Sequence, residues 1–179
     1  MSKVRPLIRR ILITAAMIIV LFLLQGTVFS RLTLGNAAPN CLLILISFAG
    51  FTRGRKEGMI VGFFSGLLMD LFFGRWFGMY ALIYMYIGFI NGFFRKVFFG
   101  DDMKLPLLFI GVSDLMYGYI IYFFLFFTRQ RTDVLFYTLN IILPEAVYSI
   151  LLAVILYVPL LLIYNWLGKT DQRSTKSFV

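Results

Sequence analysis

The chain has 179 residues, of which 61% are hydrophobic and 18% aromatic, and its formal net charge is +9. Soluble domains average about half apolar residues, so this composition excludes an ordinary soluble domain and favours an integral membrane protein. The chain has no His and a single Cys, Cys41, which excludes an internal disulfide and the commonest type of metal ligand. In a membrane protein, positive charge is typical of cytoplasmic loops and of contact with anionic lipid, so no nucleic-acid binding is expected.

In chain order, six apolar runs predict an all-α integral membrane protein with six transmembrane helices, at residues 11–29, 38–52, 58–74, 76–94, 105–127 and 144–167. The first run follows a basic segment and is long enough to span the membrane as an uncleaved helix. The second is short for a span and needs its loop residues, a thin bilayer or burial among neighbouring helices.

The last apolar stretch, 134–167, is too long for one span across a hydrocarbon core of about 30 Å. Pro144 is the natural break, which predicts a short interfacial or re-entrant piece before it and the sixth span after it. The tail, 169–179, is polar and is expected to be mobile.

The distribution of Lys and Arg predicts the topology. Thirteen of these residues lie in the segments expected on one side, 1–10, 53–56, 95–104 and 169–179. Only Arg31, Arg75, Arg129 and Arg131 lie on the other side. The bias predicts a single polytopic domain, 1–179, with a short N-terminus (1–10) and a polar tail (169–179) that are both cytoplasmic.

A stripe of small residues marks the third run. Gly58, Gly62, Gly66 and Asp70 recur every four residues, so on a helix they share one face. Such a stripe lets another helix approach closely, while the apolar residues around it face lipid. Packing within the chain is favoured over a partner interface.

Three acids, Asp70, Asp114 and Glu145, fall within apolar runs. They could form a proton or cation pathway, but without His or an intramembrane base we favour polar anchors bonded to Tyr, Asn or Ser. In that interpretation the neutral form of Asp70 suffices. Asp70 is expected toward the outer leaflet and Asp114 nearer the inner half, so these two should not form a catalytic pair.

Arg53, Arg55 and Lys56 predict a cytoplasmic basic loop, first as a topological anchor and second as a docking segment. The sequence has no nucleophile elbow, no phosphate-binding glycine loop and no metal-ligand cluster. We therefore predict no catalytic residues, no cofactor and no metal, and a protein that is not an enzyme.

Two segments carry a family resemblance. One comprises residues 25–31 with Pro39 and Asn40; the other comprises residues 53–58, 62–66, Asp70, 77–78 and 80–82. Together they resemble the MreD family of rod shape-determining membrane proteins. The match in span number and length extends over the whole chain.

The resemblance implies a non-enzymatic scaffold subunit of the bacterial cell-elongation complex, which synthesises peptidoglycan at the cytoplasmic membrane. It implies direct binding to MreC and shared assembly with MreB, RodA and a penicillin-binding transpeptidase, and it leaves a homodimer open. It also implies a fold similar to the substrate-binding subunits of energy-coupling-factor transporters. A small-molecule-binding subunit of such a transporter is therefore the alternative, and an ion or proton channel, which rests on the three acids alone, is a third.

Overall fold

A computed structural model describes residues 4–29, 31–32, 37–74, 76–96, 104–125 and 134–176. The regular elements in these ranges are helices: α1 Val4–Leu24, α2 Cys41–Arg53, α3 Arg55–Phe73, α4 Met79–Phe93, α5 Lys104–Leu125, α6 Val134–Tyr137 and α7 Leu143–Lys176. Short π-helical turns at Gln25–Phe29 and Thr138–Ile142 and a 3-10 turn at Phe94–Lys96 extend them. Arg75, Arg129 and Arg131, expected on the outer side, lie outside the described residues.

Three stretches are long and apolar enough to cross a membrane: Ile8–Phe29, Leu105–Phe124 and Val134–Leu167. Cys41–Arg53 and Met79–Phe93 are apolar but shorter. α3 has 19 residues, but it begins with three charged side chains and carries Asp70 near its end. These elements are compatible with the predicted six transmembrane helices. By length and composition, three of the observed stretches can cross a membrane on their own.

The shortest of the predicted spans, α2, is the central helix of the protein. Residues 41–51 are all buried, so protein covers every side of this helix except at its last two residues. The side chain of Asn40 caps its start by accepting the N–H of Leu43 at 3.1 Å. Of the three ways in which a short span could be accommodated, the structure shows burial among neighbouring helices.

Five helices, α1, α3, α4, α5 and α7, pack around α2 and direct much of their apolar surface outward. On α3, Phe64, Leu71 and Phe72 are 56%, 62% and 67% exposed. In water, contiguous apolar exposure of this kind would be a liability, whereas in a bilayer it is the surface that contacts lipid. α3 therefore has one face on protein and one exposed apolar face, which is the division that its glycine stripe predicts.

The C-terminal part differs from the prediction of a break at Pro144. The backbone is helical without interruption from Val134 to Lys176, through the π-helical turn Thr138–Ile142. A proline ring clashes with the carbonyl four residues earlier, here that of Asn140, and widening the preceding turn relieves this clash without ending the helix. α7 has 34 residues and is about 51 Å long, so it extends well past a core of about 30 Å. The predicted tail from 169 is thus helical up to Lys176.

Candidate functional site

The glycine stripe of α3 lies against α4 of the same chain. A Cβ atom added at Gly58 would collide with the backbone of Gly88, and one at Gly62 would collide with the carbonyl group of Tyr84. At Gly66 the colliding atoms belong to the backbone of the first turn of α4. Backbone atoms cannot move aside as the tip of a side chain can, so this contact requires glycine at all three positions.

The same contact extends to the central helix. A Cβ atom added at Gly50 of α2 would lie 2.9 Å from the carbonyl oxygen of Gly88 and 3.0 Å from the backbone nitrogen of Gly92. α2, α3 and α4 therefore approach backbone to backbone around Gly50, Gly58 and Gly88. The four-residue spacing in α3 revealed one side of this contact, but no comparable spacing identified Gly50 as its third member.

Asp70 caps the neighbouring helix α4. One carboxyl oxygen accepts the backbone N–H of Tyr80 at 3.0 Å, and the other accepts that of Ala81 at 2.9 Å. Helix N-termini have unpaired N–H groups and a partial positive charge. A carboxylate accepts hydrogen bonds from these N–H groups, and its negative charge is attracted to the helix end. The N-cap residue, Gly78, has no side chain that could do this. Asp70 is thus a polar anchor, but its partners are backbone groups and not the predicted Tyr, Asn or Ser side chains.

Asp70 and the glycine stripe act on the same pair of helices. The stripe sets the distance between α3 and α4, and Asp70, 4% exposed at the far end of α3, sets their register. A carboxylate that bonds both N–H groups allows α4 to slide little along α3. The two features that the sequence placed on one helix face therefore define one rigid antiparallel hairpin.

Two polar clusters that sequence reasoning did not assemble hold the other helices to this hairpin. Around the start of α2, the hydroxyl of Tyr84 donates to Asn40 Oδ1 at 3.0 Å, and the backbone N–H of Asn40 donates to Ser149 Oγ at 3.0 Å. Deeper in the protein, Asn91 Nδ2 donates to the hydroxyls of Ser47 at 3.0 Å and Ser113 at 2.9 Å.

These bonds join α2, α4, α5 and α7. All of their side chains are buried, so the pairs are worth more here than at a surface, where water competes. Tyr84 and Asn91 are seven residues apart, so they share one face of α4. Only the tertiary structure shows which side chains on other helices that face meets.

Asp114 and Glu145 lie on adjacent helices, α5 and α7, close enough to interact electrostatically. Asp114 is 2% exposed and lies beside Ser149, yet neither of its carboxyl oxygens is in hydrogen-bonding geometry with a donor among the described residues. Glu145, in the first turn of α7, is partly buried. The three intramembrane acids therefore comprise one satisfied helix cap, Asp70, and one pair on the facing helices α5 and α7.

The predicted basic loop is not a loop. Arg53 is the last residue of α2 and Arg55 begins α3, with only Gly54 between them, at a φ of +94°. Glycine adopts that conformation without strain, which permits a one-residue turn. Lys56 follows in the first turn of α3 and is exposed.

Glu57 pairs with two of the basic side chains at this end of the bundle. It forms an ion pair with Arg10 of α1 and another with Arg53, whose Nε lies 3.4 Å from Oε2. Arg95 Nη1 donates to the carbonyl oxygen of Arg53 at 3.1 Å, and the Arg55 guanidinium lies 4.3 Å from the centre of the Phe93 ring. The basic segment thus ties the ends of α1, α2, α3 and α4 together, which is a structural role beyond the predicted topological anchor.

The described residues contain no group of three or more His, Cys, Asp or Glu side chains arranged to hold a metal ion. What they do contain is a helix hairpin locked by glycine contacts and a carboxylate cap, with buried polar bonds to the central helix. Such an arrangement presents a rigid outer surface of α3 and α4 side chains.

The comparison with protein families matches residues 7–167 to the family of rod shape-determining protein MreD. No curated protein and no solved structure matches the chain. The match covers nearly the whole chain, including the α3–α4 hairpin and both acids of the facing pair. The chain therefore belongs to the MreD family of rod shape-determining membrane proteins.

Proposed function

We propose that this protein is a non-enzymatic scaffold subunit of the bacterial cell-elongation complex, which binds MreC and helps to organise the cell-wall synthases. The family match over residues 7–167 carries this proposal. The rigid α3–α4 hairpin supports it, because a scaffold holds partners in fixed positions and needs a surface that does not deform. In the same proposal, MreB, RodA and a penicillin-binding transpeptidase share the assembly.

The proposed orientation has six membrane crossings in the cytoplasmic membrane of a bacterium and both termini in the cytoplasm. Arg10, Arg53, Arg55, Lys56 and Arg95 meet at one end of the bundle, which supports placing that end in the cytoplasm. The α3–α4 turn is then outside.

Thiol labelling in intact cells tests this orientation. In a Cys41→Ser background, Phe77→Cys places a thiol in the α3–α4 turn, where Phe77 is 73% exposed. Lys56→Cys places one at the exposed start of α3. We expect an impermeant maleimide to label Phe77→Cys in intact cells and to label Lys56→Cys only after the membrane is permeabilised. The reverse pattern would invert the topology, and Cys41→Ser alone is the background control.

Purification in a gentle detergent tests the proposed assembly. Tagged protein is expected to co-purify with MreC and the cell-wall synthases, and expression of the wild-type chain is expected to restore rod shape to cells depleted of it. A variant that unfolds the hairpin, Gly62→Leu, serves as the matched negative control. Recovery of none of these proteins from a well-folded sample would contradict the proposal.

The fold similarity to substrate-binding subunits of energy-coupling-factor transporters is likewise a proposal. The same purification tests the alternative function, a small-molecule-binding subunit of such a transporter. A transporter subunit would co-purify with an ATPase module and not with the cell-wall synthases. Solving the structure of the complex would test the fold similarity directly.

A further inference from the structure

The buried acids of this protein are in two different chemical situations. Asp70 has a backbone donor for each carboxyl oxygen, so its charge is satisfied within the chain. Asp114 is more deeply buried, at 2% exposure, and neither oxygen has such a donor among the described residues. Another acid, Glu145, lies within electrostatic range of it.

We infer that Asp114 and Glu145, on the facing helices α5 and α7, form a binding site for one monovalent cation. The cationic group is either an alkali ion or a terminal ammonium group, which share a single positive charge on a small centre. A cation between the two carboxylates supplies the partner that Asp114 lacks and removes most of the repulsion between the two acids.

The surroundings of the pair suit a cation of low charge. Tyr80, Tyr84, Tyr117 and Tyr137 all lie within electrostatic range of Glu145. The rings of Tyr84 and Tyr117 are 5.4 Å apart, centre to centre, and aromatic ring faces attract cations. Ser149, which lies beside Asp114, and the tyrosine hydroxyls add neutral oxygens.

A divalent ion fits less well. Ca²⁺ takes six to eight oxygen ligands and Mg²⁺ demands a near-octahedral set, usually with several waters. Among the described residues, no third Asp, Glu, His or Cys side chain joins the pair in an arrangement that could hold a metal ion. Neither acid has an ion pair with a basic side chain among the described residues, so a cation bound there would come from outside the described part of the chain.

The test is the thermal stability of the purified full-length protein in detergent, at constant ionic strength. The salt is exchanged among NaCl, KCl, methylammonium chloride and N-methylglucamine chloride, whose cation is the bulkiest of the four and serves as the reference. At a concentration about 100 times Kd, the bound cation is expected to raise Tm by about 5–10 °C over N-methylglucamine. Stabilisation by Na⁺ or K⁺ identifies an alkali-ion site; stabilisation by methylammonium alone identifies a site for an ammonium group, such as a lysine side chain of a partner.

Variants assign the effect to the pair. Asp114→Asn with Glu145→Gln is expected to abolish the cation-dependent shift in Tm. Asp70→Asn, a matched acid-to-amide change outside the pair, is expected to lower Tm yet retain the shift. Glu145→Lys places an ammonium group beside Asp114, so this variant is expected to lose the cation dependence while keeping a Tm near that of the cation-saturated protein.

Three outcomes would overturn the inference. The first is equal stability in all four salts, which would mean that the two acids share a proton or are neutral. The second is an unchanged cation response in the double variant, which would place the cation elsewhere. The third is a Glu145→Lys protein that unfolds more readily than the wild type in N-methylglucamine chloride.

Discussion

Replacement of Gly62 by Ala is expected to destabilise the protein by at least roughly 1–3 kcal/mol, the usual cost of overpacking. The added methyl group would collide with the carbonyl of Tyr84, a backbone group that can move only if α4 moves. Gly62→Leu is expected to prevent assembly of the α3–α4 hairpin altogether. The measurement is Tm in detergent together with the amount of protein accumulated in the membrane.

Two further glycines provide matched controls for the same substitution. At Gly26 the nearest atom to an added Cβ is Phe73 Cζ, at 4.0 Å, so Gly26→Ala is expected to change Tm by little. At Gly111 the nearest atom is Ile150 Cδ1, at 2.7 Å, which is the flexible end of a side chain, so Gly111→Ala is expected to fall between the two. If Gly62→Ala proved as stable as Gly26→Ala, close packing of α3 on α4 would be refuted.

Loss of the Asp70 carboxylate is expected to have the second large effect. Asp70→Leu leaves the N–H groups of Tyr80 and Ala81 without acceptors in a low-dielectric site, at about 1–3 kcal/mol for each. Asp70→Asn retains one acceptor oxygen but turns an NH₂ group toward the other N–H, so an intermediate loss of stability is expected. The tests are Tm and the recovery of rod shape in depleted cells, at matched protein levels.

The order of the Asp70 variants separates three roles for this residue. If Tm and the recovery of rod shape both decrease in the order wild type, Asp70→Asn, Asp70→Leu, the result supports the helix cap seen in the structure. An Asn variant with full stability and function would show that a neutral group suffices, which is what the sequence alone favours. An Asn variant that is stable but inactive would point to charge exchange and contradict the anchor role.

Much of the helical framework could be predicted from apolar run lengths. The fifth run was placed at 105–127 and the helix is Lys104–Leu125; the third was placed at 58–74 and the helix is Arg55–Phe73. Such boundaries follow from local composition, since charged and glycine-rich segments interrupt the runs. The break at Pro144 was wrong because a proline can be accommodated by a widened turn when the helix continues on both sides.

The centre of the fold could not be predicted in the same way. In a soluble protein, the most apolar helix is the most buried, but in a membrane protein the lipid-facing residues are equally apolar. Hydropathy therefore did not distinguish α2, which is buried on every side, from α1, where Leu12 is 63% exposed. Its short length was the only signal, and that left three explanations open.

By itself, the sequence determined the membrane class, the helical runs and the grouping of Gly58, Gly62, Gly66 and Asp70 on one helix face, because these depend on composition and on the 3.6-residue period. Only the tertiary structure decided what each group meets. Asp70 and Asp114 look alike in sequence, as single acids in apolar helices. Asp70 accepts hydrogen bonds at the N-terminus of α4, whereas Asp114 lies near a second acid, Glu145. The difference arises because the partner of a buried polar group depends on which helices pack together.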